Sequence, residues 1–473
     1  MKKTCFCFAA AVLLALAGLV FAHCAVSATA DQVVWQEECL TGDLSAVEDL
    51  SLHLRASLDS RLFWDSTLIP GQELITDFRY ASKQEFPESG RTRCSLDLFP
   101  LLSDSHYSGS GIDPESDDLP WPAEAMRQLA ADTQPGETKH RAILASDYAD
   151  VYPAEVHLRT PGAGTIYFDA DMLKGSNAQE VAGQQFAQDL AALFSFPVEE
   201  GHMQILTVTR DEAGYLREMS TAPKDGCGIS FYAVTWDSPQ YLYFSIEATN
   251  ADDSPADYSL TPGYGIYRLP ADQETLTIDD VELIYPMDPE HPIIVSTYDE
   301  ARDQLVTITE EEEGHVLHVI DLTARREVQQ LALDLPEGFF SIWLQEDIML
   351  VFADSQQAQF FHRENGQFVY QYDILFPDAD GYNVYRSGTP FCILDGARLA
   401  ILTPRAEDTN TATPYSNGYN ASCALYVFDP SGTVYAGRFS SSLDAGYDGT
   451  GSNHTLCALY GPDALRLTKG GTP

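Results

Sequence analysis

Two histidines and two acidic loops come nearest to a metal site by residue type and spacing. His315 and His318 lie three residues apart in a predicted strand, where neighbouring side chains alternate between faces, so the pair cannot share a metal. Asp378–Gly381 and Asp444–Asn453 have the Asp and Gly content of calcium loops, but position 12 from Asp378 is Thr389 and not the glutamate of an EF-hand. Ordinary turn chemistry explains both loops. We therefore predict no metal site and no cofactor.

The chain contains none of the short motifs that mark common catalytic sites. The sequence lacks GxSxG, HExxH, the P-loop and a GxGxxG between a strand and a helix. A catalytic site could still be assembled from Asp and Glu side chains of distant segments, because such residues need no local motif. The sequence thus leaves any catalytic residues unknown.

The charge balance excludes one class of partner. Residues 1–30 contain two lysines and no acidic residue, so the remaining chain has 71 acidic against 25 basic residues, a formal charge of −46. Binding to nucleic acid needs a Lys/Arg surface that releases counterions from the phosphates. Anionic lipid surfaces are disfavoured for the same reason. We expect no nucleic-acid partner.

The N-terminus has the pattern of a secretion signal over residues 1–30. Lys2 and Lys3 precede an apolar run from Phe6 to Ala22, and Ala28-Thr29-Ala30 offers a small-residue cleavage site before Asp31. An uncleaved membrane anchor is the alternative, but a run of about 17 apolar residues is short for a bilayer span. We predict an extracytoplasmic protein, secreted or associated with the cell envelope, with no integral span after cleavage.

The six cysteines that follow residue 30 form no CxxC pair, which argues against zinc. They are Cys39, Cys94, Cys227, Cys392, Cys423 and Cys457. An even number in an exported chain permits disulfides, and six cysteines allow fifteen complete pairings. Free buried thiols are the equal alternative.

The stretch "GHVLHVIDLTARREVQQLALDLPEG" (314–338) predicts two strands joined by a turn. Its first apolar run is rich in Val and Ile, and "TARRE" supplies a polar break before the second run. A helix over "TARREVQQLALDL" is the alternative, since most of those residues are good helix formers. Both faces of the first strand are mostly apolar, which is typical of a strand buried on two sides.

The same outline returns along the chain with turn residues at its centre. The other copies are "QILTVTRDEAGYLREM" (204–219), "GYGIYRLPADQETLTIDDVELIY" (263–285), "AQFFHRENGQFVYQYDI" (358–374) and "ALYVFDPSGTVYAGRF" (424–439). Asn365-Gly366 in the third is the strongest short hairpin signal. Strand candidates at 347–354 and 397–403 precede the last two copies. Equivalent turns lie 41 to 67 residues apart, about the size of a four-stranded propeller blade with loop insertions.

Residues 31–200 give weaker signals. Strand candidates are "LSLHLRA" (50–56), "LITDFRY" (74–80), "AEVHLRT" (154–160) and "GTIYFDA" (164–170), and residues 105–122 look like an insertion before a short helix near Ala123–Ala131. The clearest helix is 177–194, with Asn177 as a possible cap and an apolar stripe at Ala182, Phe186, Leu190 and Leu193. We expect it to pack on the outside of the fold; the alternative is a lid over a channel.

"LHVIDLTARREVQQLALDLP" resembles the strand–turn–strand signature of bacterial β-propeller repeats of the YVTN and quinoprotein-like (WD40-like) kind. The chain is also similar to exported, uncharacterised propeller-like proteins of Gram-positive bacteria, most clearly over residues 200–473. The resemblance implies a blade architecture and no particular activity.

We predict an all-β fold, a β-propeller of about seven blades (six to eight), with a short helical insertion near 177–194. After a signal peptide (1–30), a single propeller domain covers 31–473, with blades and insertions over 31–200 and clearer repeats over 201–473. A β-sandwich or barrel is the alternative, but it explains strands that are apolar on both faces less readily.

Two functional hypotheses follow. The first is an exported, non-catalytic binding module at the bacterial cell envelope, with an envelope protein or glycan as partner. The second is a carboxylate-dependent hydrolase or lyase at the mouth of the propeller channel. Tyrosines at alternate positions in 238–250 and 381–388 could stack on sugar rings if exposed, but burial in the core is the stronger expectation.

The two ends of the chain are predicted to pair. "LCALYGPDALRLT" (456–468) reads as a final hairpin turning at Gly461–Asp463, and it leaves too little chain for a four-stranded blade. An unpaired strand edge there would invite aggregation. We expect "DQVVWQEE" (31–38) or "DLSLHLRA" (49–56) to complete that blade; an open ring with a shorter last blade is the alternative.

Overall fold

In the computed structural model, the described residues are 12–22, 24, 35–58, 62–72, 75–80, 94–100, 105–108, 112–113, 121–168, 178–224, 228–312, 314–334, 341–354, 356–377, 391–404, 422–441, 457–459 and 465–470. Most of them lie in antiparallel strands. Chain contacts divide the protein into two compact units. The first unit contains Met1–Ser89 and Leu335–Pro473, and the second contains Gly90–Asp334.

The strands, in chain order, are β1 (Trp35–Gly42), β2 (Leu50–Leu58), β3 (Leu62–Leu68), β4 (Ile75–Tyr80), β5 (Ser95–Pro100), β6 (Ser105–Ser108), β7 (Thr138–Leu144), β8 (Ala154–Thr160), β9 (Gly164–Phe168), β10 (Met203–Arg210), β11 (Leu216–Pro223), β12 (Ile229–Asp237), β13 (Tyr241–Asn250), β14 (Gly265–Pro270), β15 (Glu282–Pro286), β16 (Ile293–Asp299), β17 (Gln304–Glu311), β18 (Gly314–Asp321), β19 (Arg326–Leu333), β20 (Ser341–Gln345), β21 (Ile348–Phe352), β22 (Gln357–Glu364), β23 (Gln367–Leu375), β24 (Phe391–Asp395), β25 (Arg398–Pro404), β26 (Ser422–Asp429), β27 (Gly432–Ser441), β28 (Cys457–Leu459) and β29 (Leu465–Lys469). The helices are α1 (12–22), α2 (Ala123–Asp132) and α3 (Ala178–Leu193), with short 3-10 turns at Leu44–Ala46, Ala145–Asp147 and Ile278–Asp280.

Within the described residues the strands form seven sheets. Four of these sheets are built largely from four consecutive strands: β12 to β15 and β16 to β19 in the second unit, and β20 to β23 and β24 to β27 in the first. A meander of four antiparallel strands is the structure of a propeller blade. The predicted all-β propeller architecture is confirmed in its class, because several of these sheets are four-stranded and antiparallel like propeller blades.

The second unit also contains two sheets whose strands alternate along the chain. β5, β8 and β9 form a three-stranded sheet, while β6, β11, β10 and β7 form a four-stranded one. Strands of one sheet therefore interrupt the other between residues 95 and 223. This order differs from a simple succession of blades, and it coincides with the part of the sequence where the repeat signal is weak.

In the first unit, strands from both chain ends share sheets. β1 pairs with β27 and extends the β24 to β27 sheet to five strands. β28 and β29 both pair with β2, which continues through β3 to β4. We call the sheet of β28, β29, β2, β3 and β4 the terminal sheet. The predicted pairing of residues 456–468 with 49–56 is confirmed.

Two finer predictions about these segments are wrong. β28 and β29 do not form a hairpin with each other, because both run antiparallel to successive parts of the same strand, β2. Residues 105–122 are not wholly an insertion, because Ser105–Ser108 form β6 and pair with β11. β6, β28 and β29 contain only three to five residues each, so their apolar pattern is weak. The sequence alone therefore does not show which distant strand each of them pairs with.

The five hairpins predicted from the repeated outline are confirmed, including the one that competed with a helix. β18 and β19 pair antiparallel, and Arg325 in their turn has a φ of 56°. Asn365 and Gly366 connect β22 to β23 with φ values of 52° and 86°. Positive φ at both central residues is the requirement of a type I′ turn, whose twist matches the strands it joins.

Several central strands are buried on both faces, as the apolar runs predict. Every residue of β21 is buried, as are seven of the ten residues of β13. In the first unit, one buried cluster joins the β20 to β23 sheet to the β24 to β27 sheet through Phe352, Phe360, Tyr426 and Phe428. Packing on both faces is what stacking blade on blade requires.

The helices agree with their predicted positions. α2 and α3 cover the expected segments, and α3 buries Phe186, Ala187 and Leu190 in the same cluster as β8 and β9. α3 therefore packs on a sheet, as expected, while its proposed cap Asn177 lies outside the described residues. No helix in the described part of the chain is long and apolar enough to span a membrane. The single-domain boundary of 31–473 stays a prediction.

Candidate ligand-binding site

One face of the terminal sheet brings polar side chains together. Along β2 ("LSLHLRASL") Leu52 and Leu54 are buried in the apolar core of the first unit. Because side chains alternate along a strand, His53 and Arg55 share the opposite face. The register places His53 between Thr67 of β3 and Arg466 of β29. Three adjacent strands thus contribute to one polar row.

This row borders a pocket of about 330 Å³ that lies within the first unit. Its lining is formed by His53, Leu54, Arg55, Asp65, Ser66, Thr67, Arg466 and Thr468. Small-molecule sites usually occupy about 300–1,000 Å³, so this volume suits a single sugar-sized group.

His53 is fixed at the centre of the pocket by two threonines. Its Nδ1 lies 3.0 Å from Oγ1 of Thr67, and its Nε2 lies 3.0 Å from Oγ1 of Thr468. Burial, together with the nearby Arg466 guanidinium, lowers the pKa of His53 below its ordinary value of 6.5. The ring is therefore neutral at pH 7, so one nitrogen donates to a hydroxyl and the other accepts from one.

The pocket also contains two guanidinium groups. Arg55 donates from Nε to Oδ1 of Asp65 over 2.7 Å, and both side chains are about half exposed. Arg466 is exposed, and no carboxylate of the described residues lies within ion-pair distance of it. Arginine presents five N–H donors in a planar fork, so both groups retain donors for a ligand.

The arrangement is suited to holding a polar molecule. Guanidinium N–H groups donate, Asp65 accepts, and the hydroxyls of Thr67 and Thr468 can do either. The one carboxylate that lines the pocket, Asp65, is already bound to Arg55. A hydrolase that uses two carboxylates needs a free acid and a free base at one site.

A second pocket of about 160 Å³ lies in the second unit. Tyr152 and Glu199 line it, and both are engaged: the Tyr152 hydroxyl lies 2.8 Å from Nδ1 of the buried His202, and Glu199 accepts from the Gly228 amide over 2.9 Å. Burial lowers the pKa of His202. This smaller pocket has no arginine in its lining.

Glu247 on β13 is the carboxylate with the strongest perturbation in the described chain. Its side chain is only 6% exposed, and burial raises its pKa to about 7. The Tyr264 hydroxyl lies 2.9 and 2.8 Å from its two oxygens, and Ser245 donates to Oε1 over 3.0 Å. The Tyr264 oxygen also accepts the Ile293 amide of β16 over 2.8 Å, so this network joins two consecutive sheets.

The predicted chemical residues do not contribute to the larger pocket. His315 and His318 both lie on β18 and project to opposite faces, as expected. His318 contacts Thr309 at 2.9 Å and Glu327 at 3.3 Å. The proposed calcium loops, Asp378–Gly381 and Asp444–Asn453, lie outside the described residues. Among the residues that are described, no three His, Cys, Asp or Glu side chains are grouped to hold a metal.

The tyrosine and cysteine predictions have mixed outcomes. Tyr243 is buried, as expected for a core residue, whereas Tyr241 is half-buried and receives the Arg268 guanidinium 4.6 Å from its ring centre. The tyrosines of 381–388 lie outside the described residues. Cys39, Cys392 and Cys423 have free thiols, and the last two are buried. Free thiols were one of the two alternatives for these cysteines.

The pocket residues were missed by sequence reasoning. A signal was present, because "LHLRA" in β2 and "LRLTK" in β29 both alternate apolar residues with His, Arg or Thr. The pairing of these two segments was predicted, but the polar face that this pairing creates was not. Two alternating strands that pair in register must place their polar residues on one shared face.

No protein-family model matches this chain, and no curated protein matches it. Solved structures that it resembles include the N-terminal domain of Nup159, with 11% identity, a TM-score of 0.24, and coverage of 74% of this chain and 69% of that one. The dihydro-heme d1 dehydrogenase NirN in complex with DHE has 9% identity, a TM-score of 0.25, and coverage of 84% and 55%. KlHsv2 with loop 6CD replaced by a Gly-Ser linker has 11% identity, a TM-score of 0.20, and coverage of 41% and 48%.

These neighbours are β-propeller proteins. The alignment spans about half the length of the KlHsv2 chain. The TM-scores lie between 0.20 and 0.25, so the order of strands in the sheets, and not these likenesses, assigns the blade architecture.

Proposed function

We propose that this protein is an exported, non-catalytic propeller module that binds a glycan of the bacterial cell envelope in the pocket of the terminal sheet. The observation that carries the proposal is the row of fixed polar groups on β29, β2 and β3. His53 is held by Thr67 and Thr468, and Arg55 is held by Asp65, so the ligand meets groups that are already oriented. Oriented groups lose less entropy when they bind.

A glycan suits this pocket better than an apolar ligand does. Sugar hydroxyls both donate and accept, and the lining offers guanidinium donors, a carboxylate acceptor and two threonine hydroxyls. An envelope protein is the other partner class that the sequence predicts. A protein partner would need an interface of about 800 Å² on each side, far more than a pocket of this size provides.

Export is supported by the sequence. Residues 1–30 have the charged, apolar and small-residue regions of a signal peptide in the correct order. The resemblance to exported propeller repeats of the YVTN and quinoprotein-like type points to the same compartment. The strong negative charge keeps the protein away from anionic lipid and favours solubility.

A carboxylate-dependent hydrolase or lyase is the second candidate, and Glu247 is the observation that favours it. A pKa of about 7 is in the range that a general acid needs. Its two oxygens, however, already accept bonds from Tyr264 and Ser245, and Glu247 lines neither described pocket. We therefore place it second.

Incubation of the mature chain (31–473) with neutral and acidic envelope polysaccharides tests both candidates. We expect retention of the protein on at least one polysaccharide, with no new reducing ends. Thr468→Tyr fills the pocket from its partly exposed wall and should abolish retention without changing the melting temperature. Retention that survives this variant, or no retention at all, contradicts the binding proposal. New reducing ends that disappear in Glu247→Gln support the hydrolase.

A further inference from the structure

We infer that the pocket of the terminal sheet selects an acidic glycan, whose oxyanion is held between the guanidinium groups of Arg55 and Arg466. This inference rests on the proposed glycan-binding function and names the ligand class of the same site. The ligand chemistry is a carboxylate or phosphate carried on a hydroxylated ring.

Cationic side chains are scarce in this chain. Acidic residues outnumber basic ones by 71 to 27, so most guanidiniums are expected to lie beside a carboxylate. Seven described arginines have such a partner, among them Arg217 with Asp211, Arg302 with Asp299, and Arg268 and Arg325 with Glu282. The Arg210 guanidinium donates to the backbone carbonyls of Ala130 and Gly214 instead. Arg466 has no carboxylate partner among the described residues, and it lines a pocket. An oxyanion is the partner that this guanidinium lacks.

The pairing of β2 with β29 brings Arg55 and Arg466 to one face of the terminal sheet. Arg466 lies directly opposite His53 in the register, and Arg55 follows His53 by two residues on the same face. Diagonal neighbours on paired strands lie about 7–8 Å apart, and long side chains reach across that distance. Two planar guanidinium forks at this separation can both donate to one carboxylate or phosphate.

His53 lies beside both arginines on this face. Its ring nitrogens bond to Thr67 and Thr468, and the neighbouring Arg466 contributes to its lowered pKa. His53 is thus a neutral spacer that adds no repulsion between cations. The threonine hydroxyls beside it are placed to meet the ring hydroxyls of a sugar.

Asp65 provides an internal control for this inference. It is the acidic residue of the lining, and it neutralises Arg55 through one bond. Replacing it by asparagine keeps the size of the side chain and removes the negative charge. Asparagine retains the Oδ1 acceptor that orients Arg55, so for an anionic ligand the loss of the charge removes a repulsion and should strengthen binding.

Isothermal titration of the mature chain with three probes tests the inference: a glucuronic-acid oligosaccharide, its neutral glucose counterpart and inorganic phosphate. We expect the acidic oligosaccharide to bind at least about tenfold more tightly than the neutral one, in line with a charge-assisted hydrogen bond. Arg466→Gln should remove this preference, Arg466→Lys should restore part of it, and Asp65→Asn should increase it. Binding of phosphate that depends on Arg466, without binding of glucuronate, also supports the site and identifies a phosphorylated glycan as its source.

Arg217→Gln is the matched control, because it changes the net charge equally at an arginine outside the pocket. It should leave all three affinities unchanged, and the melting temperature of every variant should equal that of the unchanged chain. Equal binding of acidic and neutral oligosaccharides, unaffected by Arg466→Gln, overturns the anion inference while the glycan-binding function stands. Absence of binding by every probe and every envelope polysaccharide overturns both.

Discussion

At the residue scale, Glu247 shows how a buried acid makes folding depend on pH. Its oxygens are bonded only to the hydroxyls of Tyr264 and Ser245, so burial outweighs the hydrogen bonds and the pKa rises from 4.5 to about 7. Below pH 4.5 the group is protonated in the folded and unfolded chains and has no effect. Between pH 4.5 and 7 only the unfolded chain ionises, so stability falls as pH rises.

Glu247→Gln should therefore stabilise the protein at high pH. The shift corresponds to a cost of about 3 kcal/mol above pH 7, and glutamine keeps the shape while removing the ionisation. We expect the variant to exceed the unchanged chain in free energy of unfolding at pH 8 and to match it near pH 4.5, measured by urea titration. The exposed Glu212→Gln is the matched control and should show no such pH dependence. Equal stability of the Glu247 variant and the unchanged chain at pH 8 contradicts the inference that ionisation of the buried Glu247 destabilises the folded protein.

Few residues of the candidate site could be predicted from the sequence. His53 and Arg466 are more than 400 positions apart, and only the pairing of β2 with β29 makes them neighbours. Glu247 lies in an apolar run, and its buried carboxylate is bonded to Tyr264, which precedes β14. Sites assembled across distant strands leave no local spacing for a motif search to find.

At the element scale, most strands were predictable because apolar runs and turn residues agree. A polar turn between two apolar runs predicts the pair β18 and β19 and the pair β22 and β23. The structure has residues with positive φ in both turns. β7 was missed because only Ile143 of its seven residues is buried, so it carries no apolar pattern. The same holds for β6, which has four polar or aromatic residues.

Two substitutions of glycine by alanine distinguish the effect of backbone strain on stability from the effect of side-chain packing. Gly366 has a φ of 86° and no atom near the position of an added Cβ, so Gly366→Ala should cost about 1 kcal/mol through its backbone alone. Gly183 lies inside α3 with the Ile166 side chain 3.4 Å from an added Cβ, so Gly183→Ala should be neutral or stabilising by about 0.5–1 kcal/mol. Denaturant titrations measure both. A neutral Gly366→Ala would show that the β22–β23 turn does not need its left-handed conformation.

At the scale of the whole molecule, the first unit depends on both ends of the chain. β29 supplies the buried Leu467 to a core that includes Leu50 and Leu52 of β2 and Leu425 of β26. Lys469 of β29 also pairs with Asp395 of β24. The last strand is therefore part of the core of this unit and not an appendage.

Deletion of residues 456–473 should destabilise the protein beyond the loss of one strand. It leaves an edge of β2 unpaired and removes Leu467, whose burial alone contributes about 2 kcal/mol. We expect a lower and broader melting transition by calorimetry. Deletion of 471–473 is the control, because it keeps β28 and β29, and it should melt like the full chain. An unchanged melting curve of the longer deletion would show that the terminal sheet is complete without β28 and β29.

β2 cannot pair with β29 until β29 has been synthesised. β2 leaves the ribosome about 400 residues before its partner β29. At synthesis rates of about 5–20 residues per second, that interval lasts roughly 20–80 s. Throughout it, one edge of β2 has no strand of its own chain to bond with. A nascent chain of this kind has to be kept apart from its neighbours until β29 emerges. Its yield should therefore depend on chaperones that hold unfolded chains more than on the stability of the folded protein.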